Sequence, residues 1–425
     1  MRIAIIAPGS RGDVEPYVAL GEGLKGAGHE VRLVTHEDFE TLVTSHGLEF
    51  WPVEGSVQDI VQGADMRDRL EGGNFLAVLS QMSREAQRGA LNLAIAGLAA
   101  GQSADLLVAG LGGLFVGLAL AEKLRVCLLQ TYCIPFTPTR AYPSFMVPGL
   151  PFGLGGALNQ LSHDLARQMM WQAFRPADRL ARREVLDRRP APFWGPYASD
   201  CLRDMPVLYG FSPSIIQPPP DWGRDIHVTG YWFLDPAENW TPPADLSEFL
   251  EAGPPPVYIG FGSMSSQNPQ ETGRLVLEAL ARAQQRAVVL SGWSGLQPTD
   301  LPSSAITVDS VPFSWLFPRC AAVVHHGGAG TTAAGLRAGV PSVVIPFFAD
   351  QPFWGRRVAE LGVGPAPIPR RRMTVERLAR AIELAVGDSG MRRRAADLGA
   401  VIRVEDGIAR AVAVVEGLPK SPRRC

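Results

Sequence analysis

Ala321-Ala322-Val323-Val324-His325-His326-Gly327-Gly328-Ala329-Gly330-Thr331-Thr332 reads as a short apolar strand, Ala321 to Val324, then a turn of small residues and a helix opening near Thr331. Small residues at Gly327, Gly328, Ala329 and Gly330 let backbone N–H groups approach an anion closely. The helix N-terminus adds about half a positive charge. A diphosphate fits such a cradle. His326, at the strand exit, supplies a further donor, and Thr331 and Thr332 supply hydroxyls. The alternative is a glycine-rich strand-to-helix turn with no ligand, since glycine is the default wherever a chain turns tightly.

Downstream, a helical stretch from Ala333 to Ala338 ends at Gly339-Val340-Pro341, and Ser342 to Ile345 reads as the next strand. Pro346 to Trp354 follows as a loop, so Asp350 and Gln351 stand at the carboxyl end of that strand. Doubly wound sheets bind ligands outside those ends. A carboxylate beside an amide suits bidentate recognition of vicinal sugar hydroxyls. The competing role for Asp350 is to cap a helix that begins at Pro352.

The alternation of strand and helix extends through the chain. Ile3 to Ala7 and Val31 to Thr35 read as buried parallel strands separated by a helix ending at Gly26-Ala27-Gly28. Leu106 to Val108, Val126 to Gln130, Val207 to Tyr209 and Ile226 to Thr229 continue the pattern, giving an N-terminal domain over residues 1–235. Residues 236–256 are rich in proline and read as a linker. Strands at Pro256 to Phe261, Val288 to Ser291 and Ile306 to Val308 open a second domain over residues 257–400, and residues 401–425 hold a last helical segment, Ala409 to Val415, and a tail. The predicted class is α/β, with two doubly wound Rossmann-like domains. A chain of 425 residues exceeds what one hydrophobic core usually supports.

A net charge of -2 offers no field to attract nucleic acid, although Lys420 to Arg424 is locally basic and reads as a frayed end. Cys127, Cys133, Cys201, Cys320 and Cys425 are odd in number and widely spaced, so neither a disulfide framework nor a zinc site is expected. The apolar run after Arg2 is too short for a signal-peptide core and no later run reaches spanning length, so a cytoplasmic location is expected.

These motifs, with Gly9-Ser10-Arg11-Gly12-Asp13-Val14-Glu15-Pro16, Thr35-His36-Glu37-Asp38-Phe39, Thr137-Pro138-Thr139-Arg140-Ala141-Tyr142-Pro143, Gly260-Phe261-Gly262-Ser263-Met264 and Gly362-Val363-Gly364-Pro365-Ala366-Pro367-Ile368-Pro369, carry a resemblance. The chain resembles family 1 glycosyltransferases of GT-B fold, and within them the sterol 3-beta-glucosyltransferase branch. The likeness spans nearly the whole chain. It implies two Rossmann-like domains facing each other across a cleft, with the C-terminal helix crossing back to the N-terminal domain. It implies inverting, metal-independent transfer of glucose from UDP-glucose, a co-substrate and not a cofactor, to the hydroxyl of a sterol or similar lipophilic aglycone. Bacterial enzymes that glycosylate glycopeptides or macrolides share several motifs. A natural-product glycosyltransferase using a UDP- or dTDP-sugar is therefore the alternative.

The same resemblance implies roles for individual residues. His326, Gly328, Ala329, Gly330 and Thr331 would hold the diphosphate, and Asp350 and Gln351 the sugar. Ser263 and the backbone at Ser310 and Val311 would contact the nucleotide. Trp293 would pack near it or serve only the core. Ser10, Arg11 and Gly12 would border the donor. Asp13 stands where many relatives carry a histidine as the base. An inverting transfer needs a group to take the acceptor's proton as it attacks, yet an exposed Asp, with a pKa of about 4, is a weak base. An apolar pocket would raise that value and Arg11 would lower it. The competing role for Asp13 is a helix N-cap.

Strand alternation turns His325 to the face opposite His326, which favours a structural role, and His36 reads as a capping group. Cys133 to Gly156, dense in proline and aromatics, is the expected wall of an acceptor pocket, its exposed aromatics offering peripheral membrane contact. Leu158, Leu161, Leu165, Met169 and Ala173 follow at helical spacing and read as core ahead of ligand lining. An NAD-dependent dehydrogenase is disfavoured because the first turn lacks Gly-x-Gly-x-x-Gly. A degenerate partner protein is disfavoured by the intact set Asp13, His326, Asp350 and Gln351.

Overall fold

The computed structural model describes residues 1–55, 75–147, 155–198, 202, 206–236, 240–262, 268–291 and 301–418. They divide into two compact units, one from the described residues of Met1–Ile60, Leu76–Leu234 and Asp406–Cys425, the other from those of Asp235–Glu405. The first unit contains β1 (Arg2–Ile6), α1 (Arg11–Gly26), β2 (Glu30–His36), α2 (Glu40–Ser45), β3 (Glu49–Val53), α3 (Phe75–Gly101), β4 (Leu106–Ala109), α4 (Leu114–Leu124), β5 (Cys127–Tyr132), α5 (Gly156–Glu184), β6 (Val207–Tyr209) and β7 (Ile226–Val228). The second contains α6 (Ala244–Glu251), β8 (Val257–Gly260), α7 (Pro269–Arg282), β9 (Ala287–Leu290), β10 (Ala305–Val308), α8 (Phe313–Leu316), β11 (Ala322–His325), α9 (Ala329–Ala338), β12 (Ser342–Val344), α10 (Gln351–Glu360), α11 (Val375–Gly387) and α12 (Ser389–Val404). The chain then returns to the first unit as α13 (Gly407–Glu416).

Both sheets are parallel, ordered β3-β2-β1-β4-β5-β6-β7 and β10-β9-β8-β11-β12. Chain order reverses direction between β1 and β4, and again between β8 and β11. These are the two switch points at which a doubly wound sheet opens a crevice. The strands there are apolar without alternation because helices cover both faces. Ile3 and Ile5 of β1 pack with Val14 and Val18 of α1 and with Ala411 and Val415 of α13. Ala322 and Val324 of β11 pack with Val276 of α7 and Leu378 and Ile382 of α11, while Val323 meets Leu316 and Phe317 on the other face.

Four elements depart from the sequence expectation. The stretch 236–256, read as a linker, carries α6, whose Leu246 is fully buried in the second unit's core. A boundary at residue 400 cuts through α12, and the return to the first unit begins at Asp406. β3 was not expected. It contains Pro52, which an edge strand tolerates because one side of its backbone needs no ladder partner. The apolar stripe of α5 does not face the core: Leu158, Leu161 and Leu165 are exposed, and Asn159, Ser162 and His163 are buried instead. The polar face goes inward because a loop satisfies it. Asn159 Nδ2 donates to the Arg140 carbonyl at 2.8 Å, the Ser144 N–H donates to Ser162 Oγ at 2.8 Å, and His163 Nε2 meets the Tyr142 carbonyl at 3.0 Å.

α13 seats against α1 through small residues. A Cβ at Gly407 would collide with the Tyr231 carbonyl oxygen and lie 2.6 Å from the Gly230 carbonyl carbon, both backbone atoms that cannot swing aside. Gly407→Ala is therefore expected to destabilise the first unit by about 1–3 kcal/mol, read as a lowered thermal midpoint. An unchanged midpoint would show that α13 is not held at this seat.

Candidate active site

In the first unit, β1 leads through Pro8 and Gly9 into α1. Gly9 has φ +146°, and a Cβ there would lie 2.7 Å from both Cβ and Oδ2 of Asp13. Only glycine allows the Asp13 side chain to fold over the turn. Oδ2 accepts hydrogen bonds from the Ser10 N–H at 2.9 Å and from Ser10 Oγ at 2.8 Å. Ser10 is the N-cap of α1 and Asp13 is its third residue reaching back, so the cap position weighed for Asp13 belongs to Ser10.

The carboxyl of Asp13 is raised above its ordinary value by desolvation, which outweighs the two Ser10 hydrogen bonds. Its side chain remains accessible to water, so the effect is partial dehydration by surrounding protein and not sealing in the core. Arg11 does not oppose it. The guanidinium turns to Glu15, Nε to Oε2 at 2.9 Å, and has no part in the Asp13 shift. Gly12 is exposed beside it. The opposite side of this switch point is the loop after β4, a position that the sequence motifs at residues 9–16 and 325–354 do not include. A Cβ at Gly112 would lie 2.5 Å from the Pro8 carbonyl oxygen and one at Gly113 2.5 Å from that of Ile6. The signal was present as Gly110-Leu111-Gly112-Gly113 directly after an apolar strand.

In the second unit the equivalent position is the turn after β11. His325 is fully buried, and its Nδ1 accepts the Gly327 N–H at 3.0 Å. Burial lowers its pKa to about 3, so the ring is neutral with its proton on Nε2. The Gly327 amide is thereby committed inside the fold. Helical bonding in α9 begins with the Thr332 N–H to the Gly328 carbonyl at 2.9 Å. The N–H groups of Ala329, Gly330 and Thr331 precede that bond and have no intrahelical acceptor. Thr332 is buried and its Oγ1 donates to Gly328, which leaves Thr331 as the hydroxyl on the open side. Nothing lies within 4 Å of a Cβ built on Gly330.

His326 lies in a slot between two glycines. A Cβ at Gly328 would come 2.5 Å from its Nε2, and one at Gly262, where φ is +62°, 3.2 Å from its Cε1. Desolvation lowers its pKa to about 4, so it is a neutral ring, and its buried Nδ1 has no hydrogen-bond partner among the described residues. Gly327, at φ +90°, brings the second motif into place: its Cβ position is 2.6 Å from Val344 Cγ1 and 3.1 Å from the Gln351 carbonyl oxygen.

Asp350 and Gln351 therefore stand beside the glycine turn, but with part of their chemistry already committed. Gln351 Oε1 accepts from the N–H groups of Phe347 at 2.8 Å and Phe348 at 3.2 Å, so only its amide N–H groups remain to face a ligand. Asp350 Oδ2 accepts from Trp354 Nε1 at 2.8 Å. It occupies the position before α10 without a side-chain capping bond, which removes the capping role. Ala349, next to it, has φ +54°, a strained value for a residue with a Cβ, of the kind found where a loop is held in a set shape.

Ser310 is exposed after β10, whereas Val311 packs into the core with Val308 and Leu316, so its backbone is what it can offer. Ser263 and Trp293 lie outside the described residues. His36 Nδ1 meets the Gly55 carbonyl at 3.2 Å, a local tie. Among the described residues no group of three or more His, Cys, Asp or Glu is placed to hold a metal ion.

The family model described as the glycosyltransferase family 28 N-terminal domain matches residues 3–143, and that described as the erythromycin biosynthesis protein CIII-like C-terminal domain matches residues 274–405. A protein of Aspergillus fumigatus named sterol 3-beta-glucosyltransferase is 38% identical over 98% of this chain, which spans 30% of its length. The Arabidopsis thaliana protein named sterol 3-beta-glucosyltransferase UGT80A2 is 37% identical over 97% of this chain, which spans 64% of its length. The chain thus covers less than two thirds of either relative. Among solved structures, the calicheamicin glycosyltransferase CalG4 superposes with a TM-score of 0.66 at 20% identity, covering 98% of this chain and 97% of its own. The glycosyltransferase SnogD from Streptomyces nogalater gives 0.65 at 20% identity, covering 98% and 99%. Two parallel α/β units with glycine turns at both switch points give this chain the GT-B fold of those solved structures, and the two family models and the relatives make it similar to glycosyltransferases along almost every residue.

Proposed function

We propose that the protein transfers glucose from UDP-glucose, with inversion and without a metal or other cofactor, to the hydroxyl of a sterol or similar lipophilic aglycone, in the cytoplasm. The observation that carries this is a carboxylate made more basic by desolvation, Asp13 at the exit of β1, in a chain similar over 97–98% of its length to proteins named sterol 3-beta-glucosyltransferases. In this reading Asp13 takes the proton of the acceptor hydroxyl as its oxygen bonds to the anomeric carbon. The bond from that carbon to the diphosphate oxygen breaks on the opposite face. The N–H groups of Ala329, Gly330 and Thr331 and the end of α9 stabilise the charge that collects on the departing diphosphate. A neutral His326 adds a hydrogen bond without a charge. Asp350 and the amide N–H groups of Gln351 hold sugar hydroxyls. The backbone at Ser310 and Val311 contacts the nucleotide, and the resemblance assigns Ser263, and Trp293 if it is not core, to the same ligand.

The second reading is a natural-product glycosyltransferase with a dTDP-sugar. It is supported by the likeness to the glycosyltransferase VinC, whose structure was solved in complex with dTDP, with a TM-score of 0.66 at 19% identity.

Mass spectrometry after incubation with EDTA, UDP-glucose or a dTDP-sugar, and a panel of sterols, macrolides and phenolics decides between them. Hexose on a sterol in the presence of EDTA is the expected product. Hexose on a macrolide alone would select the second reading, and activity abolished by EDTA would overturn metal independence.

The base must be ionised to act, and its pKa is raised, so kcat/KM is expected to climb as pH rises through a value above the ordinary carboxylate range and to be lost as pH falls through it. Asp13→Asn should lower kcat by roughly 10²- to 10⁴-fold and abolish that limb; full activity in this variant would remove Asp13 from the chemistry. At Gly330 the space is open, so Gly330→Val should raise KM for the nucleotide sugar about tenfold or more while shifting the thermal midpoint only by the modest helix-propensity difference between the two residues. An unchanged KM would place the diphosphate elsewhere.

A further inference from the structure

We propose that the outer face of α5, together with the loop at Phe193 and Trp194, is a docking surface for a bilayer containing anionic lipid. The choice of a bilayer as occupant rests on the reading that the acceptor is a sterol-like lipid. The face itself is an observation. Leu158, Leu161 and Leu165 are 52%, 60% and 51% exposed and stand on one side of the helix at spacings of three and four. Single exposed leucines are ordinary, but a continuous row on successive turns marks an interaction surface. Folding does not require them, because α5 is fixed through its opposite, polar face by Asn159, Ser162 and His163.

The apolar row continues at Met169 and Ala173 into a groove of about 420 Å³ between α3 and α5, which Leu79 also lines. Beside it, the Phe193 carbonyl accepts from Trp171 Nε1 at 2.9 Å and Gln172 Nε2 at 2.8 Å, holding a loop whose Phe193 and Trp194 side chains are 52% and 72% exposed. The Arg175 guanidinium sits 5.0 Å over the Phe193 ring.

Charge then selects the occupant. Past the leucines the same helical face presents Arg179 and Arg183, both exposed, and exposed Arg188 and Arg189 follow, against exposed Glu184 and Asp187 nearby and Asp164 on the flank. Leucines along one helical face, a phenylalanine and a tryptophan on the adjoining loop and arginines beside them suit a headgroup region, where each basic residue near an anionic surface adds attraction. Among the described residues no helix is long and apolar enough to cross a membrane, which agrees with a helix that lies on the surface.

The test is co-sedimentation of the whole protein with sterol-free vesicles of phosphatidylcholine alone and of phosphatidylcholine with phosphatidylglycerol, without sugar donor. Its outcome is thus independent of which acceptor the enzyme glycosylates. The protein should bind the anionic vesicles, less so at high salt. Binding should weaken at least tenfold in Leu161→Ser/Leu165→Ser and in Trp194→Ser, and more than threefold in Arg179→Glu/Arg183→Glu, with thermal midpoints unchanged because all these side chains are exposed. No binding to anionic vesicles, or equal binding by wild type and Leu161→Ser/Leu165→Ser, would overturn the proposal. So would a dimer in light scattering that the same leucine variant dissociates in the absence of vesicle binding, since the occupant would then be a second copy of the chain.

Discussion

A parallel sheet covered by helices on both faces can meet a ligand only at its ends, and that constraint organises both units of this protein. Where neighbouring strands send their chains to opposite faces, between β1 and β4 and between β8 and β11, the backbone must turn in little space. Glycines at 9, 112 and 113 in one unit and at 262, 327 and 328 in the other answer that demand, several with a carbonyl or ring atom lying where a Cβ would stand. The buried His325 completes the second turn by taking the Gly327 amide for the fold, and the amides at the start of α9 that precede the Thr332 bond are left without an intrahelical acceptor.

The two turns differ in what they do with charge. Around His325 and His326, dehydration keeps imidazoles neutral, so positive potential comes from oriented amides and the helix end. Around Asp13, dehydration of an accessible carboxylate makes it more basic, while Ser10 holds one oxygen and leaves the other for a proton. One physical effect thus leaves an imidazole uncharged and makes a carboxylate more basic.

Much of this was legible in the residues. Apolar runs of β-branched residues bounded by glycine marked β1, β2, β6 and β11, and the motifs at residues 9–16 and 325–354 marked the strand ends. What stayed hidden followed from partners distant in sequence. Gln351 reads as a free amide until its Oε1 is found on Phe347 and Phe348, and Arg11 reads as a neighbour of Asp13 until it is found on Glu15. β3 is weakly patterned because an edge strand is held on one side only. α6 was obscured by the prolines around it. The inverted α5 could not be read from periodicity at all, because hydrophobic spacing identifies a face but not the direction it points when a loop can satisfy the polar one.

The fit between Gly9 and Asp13 has an evolutionary consequence. The space over the turn admits a short carboxylate only while position 9 lacks a Cβ, and the Ser10 N–H and hydroxyl keep their acceptor only while position 13 supplies one. An imidazole substituted at position 13 would be larger and would meet Ser10 differently, so it would be selected against unless positions 9 and 10 changed with it. Positions 9, 10 and 13 should therefore change together, so that the side chain at this strand exit is inherited as a block with the start of α1.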